Sequence, residues 1–307
     1  MISIIICTAQ LKKIDEIQRN ISETIGVKHE LIIIDNSQSQ YNIFQAYNIG
    51  VKRSNFEILC FMHDDIIYHG INWGEAVLSH FHEKNTGMIG IGGTRFLNSI
   101  PTIWWAGGER FSNTHDSTIC INCIQTNREN PNISNYTFIN PEKAVRTKVV
   151  VLDGLWFCIR KSLFEKIRFD EINYTGFHFY DLDICMQINQ LKLSIYCIYD
   201  IQIEHISSSK HDLFWIQNCE IFYRKWKSHL PISHTELTLD QIIKIEYDSF
   251  RNTYQIYRMQ NLRFPRMKFI RNIHITNFLT FHFKHLIFRI KRNRLNMSQS
   301  PTFEKED

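Results

Sequence analysis

The chain lacks any stretch of roughly eighteen uncharged apolar residues, so no part of its 307 residues is expected to span a bilayer as a helix. No basic segment precedes the isoleucine run that starts at Ile2, and no small-residue cleavage site follows it, which argues against a cleaved secretory leader. Glycine (12) and proline (6) are scarce beside 44% hydrophobic residues, so a disordered or fibrous chain is excluded and a large core is expected. No G-x-G-x-x-G follows the first apolar run, which removes the dinucleotide-binding fingerprint. Internal repeats are absent as well. The eight cysteines sit mostly inside apolar runs, where a thiol acts as a small hydrophobe; only Cys120 and Cys123 have C-x-x-C spacing, and no second pair completes a zinc ribbon. That usage reads as reduced thiols in the cytoplasm.

Acidic residues are missing from 249 to 303. From Ser249 onward there are twelve Lys/Arg against three Asp/Glu, so the net charge of +4 hides a tail of +9 on a body of −5. Between 258 and 295 the basic residues alternate with Phe264, Phe269, Phe278, Phe281, Phe283 and Phe288. Basic and aromatic groups on one amphipathic surface suit an anionic membrane, at about 1 kcal/mol per basic residue near the lipid. A packed helical cap or oligomer interface is the alternative. Nucleic acid is not expected, because no recognisable nucleic-acid module accompanies the charge.

What is present is an alternation of strand-length apolar runs with helical segments. Ile2 to Cys7, Leu31 to Ile34, Ile58 to Met62, Met88 to Ile91 and Val149 to Leu152 are such runs, and Leu11, Ile14, Ile17, Ile21 and Ile25 share one helical face. Continuous rather than alternating runs imply strands covered on both faces, hence an α/β layer architecture with a mostly parallel sheet. Residues 101 to 145 look like an irregular insertion or lid. Further helices are expected over Asp181 to Leu191 and Asp212 to His229, strands over Ser194 to Ile198 and Ile201 to Ile206. Ser233 and Glu236 have capping-box spacing for a helix reaching about Met259. The chain divides into a domain over 1–235 and a helical, basic extension over 236–307.

Three runs end in polar residues: Thr8, Asp35-Asn36-Ser37 and His63-Asp64-Asp65. Ligands of open α/β sheets bind beyond the carboxyl ends of strands, so these tips define a candidate site. Asp64 and Asp65, adjacent at the end of a buried strand, repel unless a cation lies by them; few hard oxygen ligands suit Mg²⁺ or Mn²⁺ shared with a diphosphate. The alternative is a solvated turn. His205 shares a strand face with Ile201 and Ile203, either hydrogen-bonded in the core or, if near Asp65, a metal ligand. Asp181 and Asp183 point about 200° apart on a helix, so only one can face a pocket and the other is structural. Asp181 is either an N-cap or a general base toward a hydroxyl. Asp35 either binds a base or ribose, or caps a turn.

These residues resemble the family 2 nucleotide-sugar glycosyltransferases, which have the GT-A fold. The resemblance runs through Ser3-Ile4-Ile5-Ile6-Cys7-Thr8, Leu31 to Ser37, Ala46-Tyr47-Asn48-Ile49-Gly50 and Ile58 to Asp65. It resumes at Leu152 to Arg160, Phe169-Asp170-Glu171, Tyr180 to Cys185 and His205, covering about residues 1–210. Within the family it is most similar to bacterial enzymes that build capsule or lipopolysaccharide glycans.

The resemblance implies that Thr8, Asp35, Asn48 and Asp64 bind the nucleotide-sugar, expected to be a UDP-sugar, and that Asp65 and His205 hold Mn²⁺ or Mg²⁺. It implies Asp181 as the general base of an inverting transfer, and Gly154 and Trp156 on the acceptor side, the acceptor being a surface glycan or lipid-linked sugar. A cytoplasmic enzyme peripheral to the inner membrane face fits that acceptor. Two residues depart from the family pattern: His63 replaces the first acid of D-x-D, and Tyr180 replaces the glutamate before the base. They leave open a non-catalytic sugar-nucleotide-binding or interaction protein that kept the fold.

Overall fold

The apolar runs become strands because both of their faces are covered. In β1 (Ile2–Thr8), Ile5 packs into one core cluster while Ile2, Ile4 and Ile6 pack into another on the opposite side. The computed structural model describes residues 1–112, 117–207 and 212–262. The further strands are β2 (His29–Asp35), β3 (Ile58–Met62), β4 (Ile66–Tyr68), β5 (Thr86–Gly90), β6 (Gly92–Thr94), β7 (Phe96–Leu97), β8 (Ile119–Asn127), β9 (Ser134–Ile139), β10 (Arg146–Val149), β11 (Val151–Leu152), β12 (Trp156–Arg160), β13 (Ser194–Ile198), β14 (Ile203–Ser207) and β15 (Ile232–Ser233). The α-helices are α1 (Ile14–Thr24), α2 (Ile43–Arg53), α3 (Trp73–His80), α4 (Tyr180–Gln190), α5 (Leu213–Trp226) and α6 (Leu239–Met259).

The main sheet has the order β10-β13-β5-β12-β3-β1-β2. Five of its seven strands run the same way, as expected; β12 and β10 run against them. A second sheet has the order β11-β6-β8-β14-β4 with β9 on β8, and its β4 follows directly on the His63-Asp64-Asp65 tip. Helices fill both faces of the main sheet: α1 buries Ile17 and Ile21, and α2 buries Phe44, Ala46 and Tyr47. Gly50 lets α2 lie flat on β1, since a Cβ there would meet Ile5 Cγ2 at 2.3 Å.

Three expectations are corrected. Residues 101–145 are not merely irregular: they supply β8 and β9, and β8 is a nine-residue strand. Its buried Asn122 and Thr126 blur the apolar pattern, but both are satisfied; Asn122 donates to the carbonyls of Tyr199 and Ile201 (3.0 and 2.8 Å). The run Val149 to Leu152 is split between β10 in one sheet and β11 in the other. The last helix starts at Leu239, capped by Thr238 with Gln241, because Ser233 lies in β15 and its hydroxyl closes a local turn with Thr235.

α6 is the first piece of the expected extension, and its Phe250, Ile256 and Tyr257 belong to the same core cluster as the main sheet. It also clamps the segment after β7: Asn98 donates to Ser249 Oγ (2.8 Å) and Thr253 to the Pro101 carbonyl (2.5 Å). The remainder of the basic tail, with the membrane-facing surface expected over 258–295, lies outside the described residues from 263 onward. No described helix is long and apolar enough to cross a membrane. All eight cysteines are free, and burial pushes the thiols of Cys120 and Cys123 up to about 12, far from the thiolate a metal needs.

Candidate active site

A cavity of about 560 Å³ opens beyond the carboxyl ends of β1 and β3. Its charged wall follows from strand register. β1 and β3 run parallel and end together, with Ile6 beside Met62, so the turn His63-Asp64-Asp65 emerges next to Thr8. The Thr8 hydroxyl donates to Asp64 Oδ2 at 2.5 Å and fixes that carboxylate. β4 then pairs antiparallel with β14, setting His205 opposite Ile66, and the Ile206 N–H donates to the Asp65 carbonyl (2.9 Å). His205 and Asp65 thereby become neighbours although 140 residues separate them in the chain. On its other side β14 runs parallel to β8, which puts Gln125 beside His205.

The hydrogen bonds fix which ring nitrogens are bare. Gln125 Oε1 lies 3.2 Å from His205 Nδ1; an amide oxygen only accepts, so Nδ1 carries the hydrogen and Nε2 keeps a lone pair. That Nε2 faces Asp65 Oδ1 at 3.3 Å without hydrogen-bond alignment, and both atoms are buried with no other partner. Tyr180 donates its hydroxyl to the Gly154 carbonyl (3.0 Å), so His63 Nε2, 2.8 Å from the phenol oxygen, is the donor there. His63 Nδ1 is then a second lone pair, 3.9 Å from the same Asp65 Oδ1. One ligand atom from each of His63, Asp65 and His205 falls within 4.8 Å of the others. Three acceptors converging in a buried place repel one another unless a cation is shared among them, and each histidine is oriented from behind as metal-ligating histidines are. The donor set fits a divalent cation. Where no cation is shared, the imidazoles face Asp65 as proton donors instead: burial alone would raise the Asp65 carboxyl, but His205, His63 and the Arg128 guanidinium then hold it below its usual value. Burial, then the neighbouring His205, lowers His63.

A second wall of the cavity is built at the start of α4. Phe179 takes a left-handed conformation (φ 70°) ahead of the helix, and Tyr180 and Asp181 follow in its first turn. Tyr180 reaches back to Gly154, where any Cβ would meet its hydroxyl at 2.2 Å. Asp181 Oδ1 accepts from the Leu182 N–H (2.9 Å). Burial, and after it the charge of Asp153, push the Asp181 carboxyl up to about 7. Asp153 is itself pinned, accepting from the Trp104 indole N–H (2.9 Å) and the Leu155 N–H (3.0 Å). Asp183 faces away, as the helix angle requires: it is buried and receives Tyr174, Trp226 and Lys225.

Comparison with known families decides the chemistry class. Residues 3–226 match the family described as Glycosyltransferase like family. The chain belongs to that glycosyltransferase family. Comparison with curated proteins gives no match. Solved structures it is similar to include A197 from STIV, 12% identical with a TM-score of 0.36 over 67% of this chain and 86% of that one. GalNAc-T7 with UDP, GalNAc and Mn²⁺ is 10% identical, with a TM-score of 0.47 over 93% of this chain and 54% of that one. Mannosyltransferase PcManGT from Pyrobaculum calidifontis, in complex with GDP-Man and Mn²⁺, is 10% identical, with a TM-score of 0.47 over 83% of this chain and 69% of that one. This chain thus spans about half the length of the GalNAc-T7 chain.

In this glycosyltransferase-family protein, five of the residues singled out from sequence line the cavity: Asp64, Asp65, Gly154, Asp181 and His205. Four do not. Thr8 stands behind Asp64, buried. Asp35 is exposed at the end of β2 and accepts from the Ser37 N–H (2.9 Å), the turn-capping alternative. Asn48 ties α2 to the Phe169 backbone and to Glu171 (2.9 and 3.1 Å). Trp156 is fully buried on the far face of β12, its indole N–H donating to Tyr68 (2.7 Å); that ring is core, not acceptor surface. Sequence reasoning missed His63 as a candidate ligand, Asp153, pinned by Trp104, as the charge that raises Asp181, and Arg128 on the cavity wall. Asp153 had a usable signal, an acid directly after an apolar run and before glycine; Arg128 had none.

Proposed function

We propose that this protein is an inverting glycosyltransferase that moves a sugar from a nucleoside diphosphate donor to a hydroxyl of a glycan acceptor. The observation that carries this reading is the meeting, in one cavity, of the His63, Asp65 and His205 acceptors with Asp181, a carboxylic acid whose pKa of about 7 suits a base at neutral pH. The acceptor hydroxyl gives its proton to the Asp181 carboxylate as its oxygen attacks the anomeric carbon. The bond from that carbon to the diphosphate oxygen breaks on the opposite face, so configuration inverts. The charge of Asp153, pinned by Trp104, adds to burial in keeping the basicity of Asp181 high. A divalent cation on His63, Asp65 and His205 would supply charge neutralisation for the departing diphosphate. Two imidazole nitrogens favour Mn²⁺ over Mg²⁺, which takes oxygen ligands.

The donor class we favour is a UDP-sugar, with Asp64 toward its ribose or sugar, and the acceptor a growing surface glycan, lipid-linked or not. His63 and Tyr180, which set this chain apart from the family pattern, hydrogen-bond each other at 2.8 Å between the two walls, so they support a working site rather than a decayed one. The test is thermal-shift screening against UDP- and GDP-sugars with and without Mn²⁺, followed by donor hydrolysis in the same conditions. A cation-dependent shift and slow hydrolysis, lost in Asp181→Asn, support the enzyme. A shift without any turnover identifies the non-catalytic binder instead.

A further inference from the structure

Four carboxylates, Asp64, Asp65, Asp153 and Asp181, line the cavity, yet among the described residues that line it only one is a lysine or arginine: Arg128. A nucleoside diphosphate brings about two further negative charges, and in a confined acidic cavity that repulsion needs fixed positive charge beside the cation. Arg128 follows directly after β8, and its backbone is anchored: its N–H donates to the Ser207 carbonyl (3.4 Å), and Asn127 Oδ1 accepts from the N–H groups of Glu129 and Asn130 (2.8 and 3.0 Å). The guanidinium uses one edge on the protein. Nε and Nη2 both reach the Ile206 carbonyl at 3.2 Å, and Nη2 pairs with Asp65 Oδ2, the oxygen turned away from the two histidines. Nη1 makes no hydrogen bond among the described residues, and the side chain is 46% exposed. Asp65 therefore presents Oδ1 to the imidazoles and Oδ2 to the guanidinium of a cavity-lining arginine whose Nη1 makes no hydrogen bond among the described residues.

We propose that Arg128 is a diphosphate-binding residue, contacting the donor's phosphate oxygens through Nη1 while its other edge pairs with Asp65. The proposal rests on the donor reading given above and names a residue that reading does not require. A planar guanidinium can engage an anion on one edge and a carboxylate on the other, which an ammonium cannot do with the same geometry.

The experiment is calorimetric titration of the full-length protein with Mn²⁺ alone, with UDP or GDP in the presence of Mn²⁺, and with uridine, using Arg128→Gln and Arg128→Lys. Losing one charge-assisted phosphate contact should weaken UDP or GDP binding in Arg128→Gln on the order of ten- to a hundredfold. Arg128→Lys should recover part of that loss. Affinity for Mn²⁺ alone should stay within about fivefold, the range of a half-exposed ion pair, and uridine affinity should not change. Unchanged nucleoside diphosphate affinity in Arg128→Gln, or equal losses for UDP and uridine, would overturn the proposal while leaving the donor reading intact. Failure of the unaltered protein to bind UDP or GDP with Mn²⁺ would remove the donor reading, and this proposal with it.

Discussion

The two walls of the cavity are finished differently. On the wall made by β3, β4, β8 and β14, Asp65 Oδ1 and His205 Nε2 are buried without hydrogen-bond partners and face each other at 3.3 Å. On the wall made by the 153–154 turn and α4, the groups close on one another: Trp104 on Asp153, Leu182 on Asp181, Tyr180 on Gly154. A buried polar group left open costs about 1–3 kcal/mol, so an open cluster on rigid strands marks a place completed from outside. A closed network keeps its geometry without a ligand, which is what a base needs before substrate arrives. In the proposed function this difference separates binding from chemistry within one cavity, and each wall can be attacked alone.

The largest effect is expected on the closed wall. Asp181→Asn should lower transfer roughly 10²–10⁴-fold while nucleotide affinity stays nearly constant, measured by steady-state rates beside calorimetry. Unaltered turnover would strip Asp181 of its role. On the open wall, Asp65→Ala should weaken Mn²⁺-dependent nucleotide binding by more than about 100-fold, beyond the range for residues that merely support a ligand. Normal binding at saturating Mn²⁺ would show that the cluster holds no cation. Gln125→Leu, which removes the acceptor that orients His205, should weaken Mn²⁺ binding by about 10–100-fold with little change in the fold's melting temperature. A change in Asp181→Asn that resembled Asp65→Ala would dissolve the distinction between the walls.

Much of this arrangement was legible in the sequence, for reasons that individual residues show. Isoleucine runs without alternation announced doubly covered strands, and Asp64 and Asp65 at the end of one of them announced a site. The 181/183 spacing foretold that one acid would face away, and Asp183 does, held by Trp226 and Lys225. What stayed hidden depended on pairing between distant segments. β8 carries buried Asn122 and Thr126 in positions that periodicity scores as solvent, because their partners, Tyr199, Ile201 and Glu204, come from elsewhere in the chain. His63 looked like a lost acid until the Tyr180 hydrogen bond fixed its tautomer. The resemblance put Trp156 on the acceptor side, but alternation along β12 turns it to the face that packs on Trp73. Arg128 could not be read at all, since a single arginine in a polar stretch carries no pattern.

The subtlest effect lies in Asp153, whose charge adds to burial in making the closed wall basic. Burial contributes most to lifting Asp181 to about 7, and the Asp153 charge comes next. The acid limb of kcat/KM should therefore rise with pH through about 7 in the unaltered protein, as Asp181 loses its proton. Asp153→Asn removes the charge and can still accept from one of its two donors, Trp104 or Leu155. The limb should move to lower pH yet remain above the ordinary carboxylate range, because burial is untouched. A purely structural loss would lower the rate at every pH and leave the limb where it was. Stability carries the same sign: Asp181 holds its proton to higher pH folded than unfolded, so the folded state loses stability as pH rises from the ordinary carboxylate range to about 7, where the loss is complete. Asp181→Asn abolishes that dependence, and its melting temperature relative to the unaltered protein should gain about 2–4 °C between pH 5 and pH 8. A limb unmoved in Asp153→Asn would mean that Asp181 owes its basicity to burial alone, and that the closed wall is a support rather than a tuner.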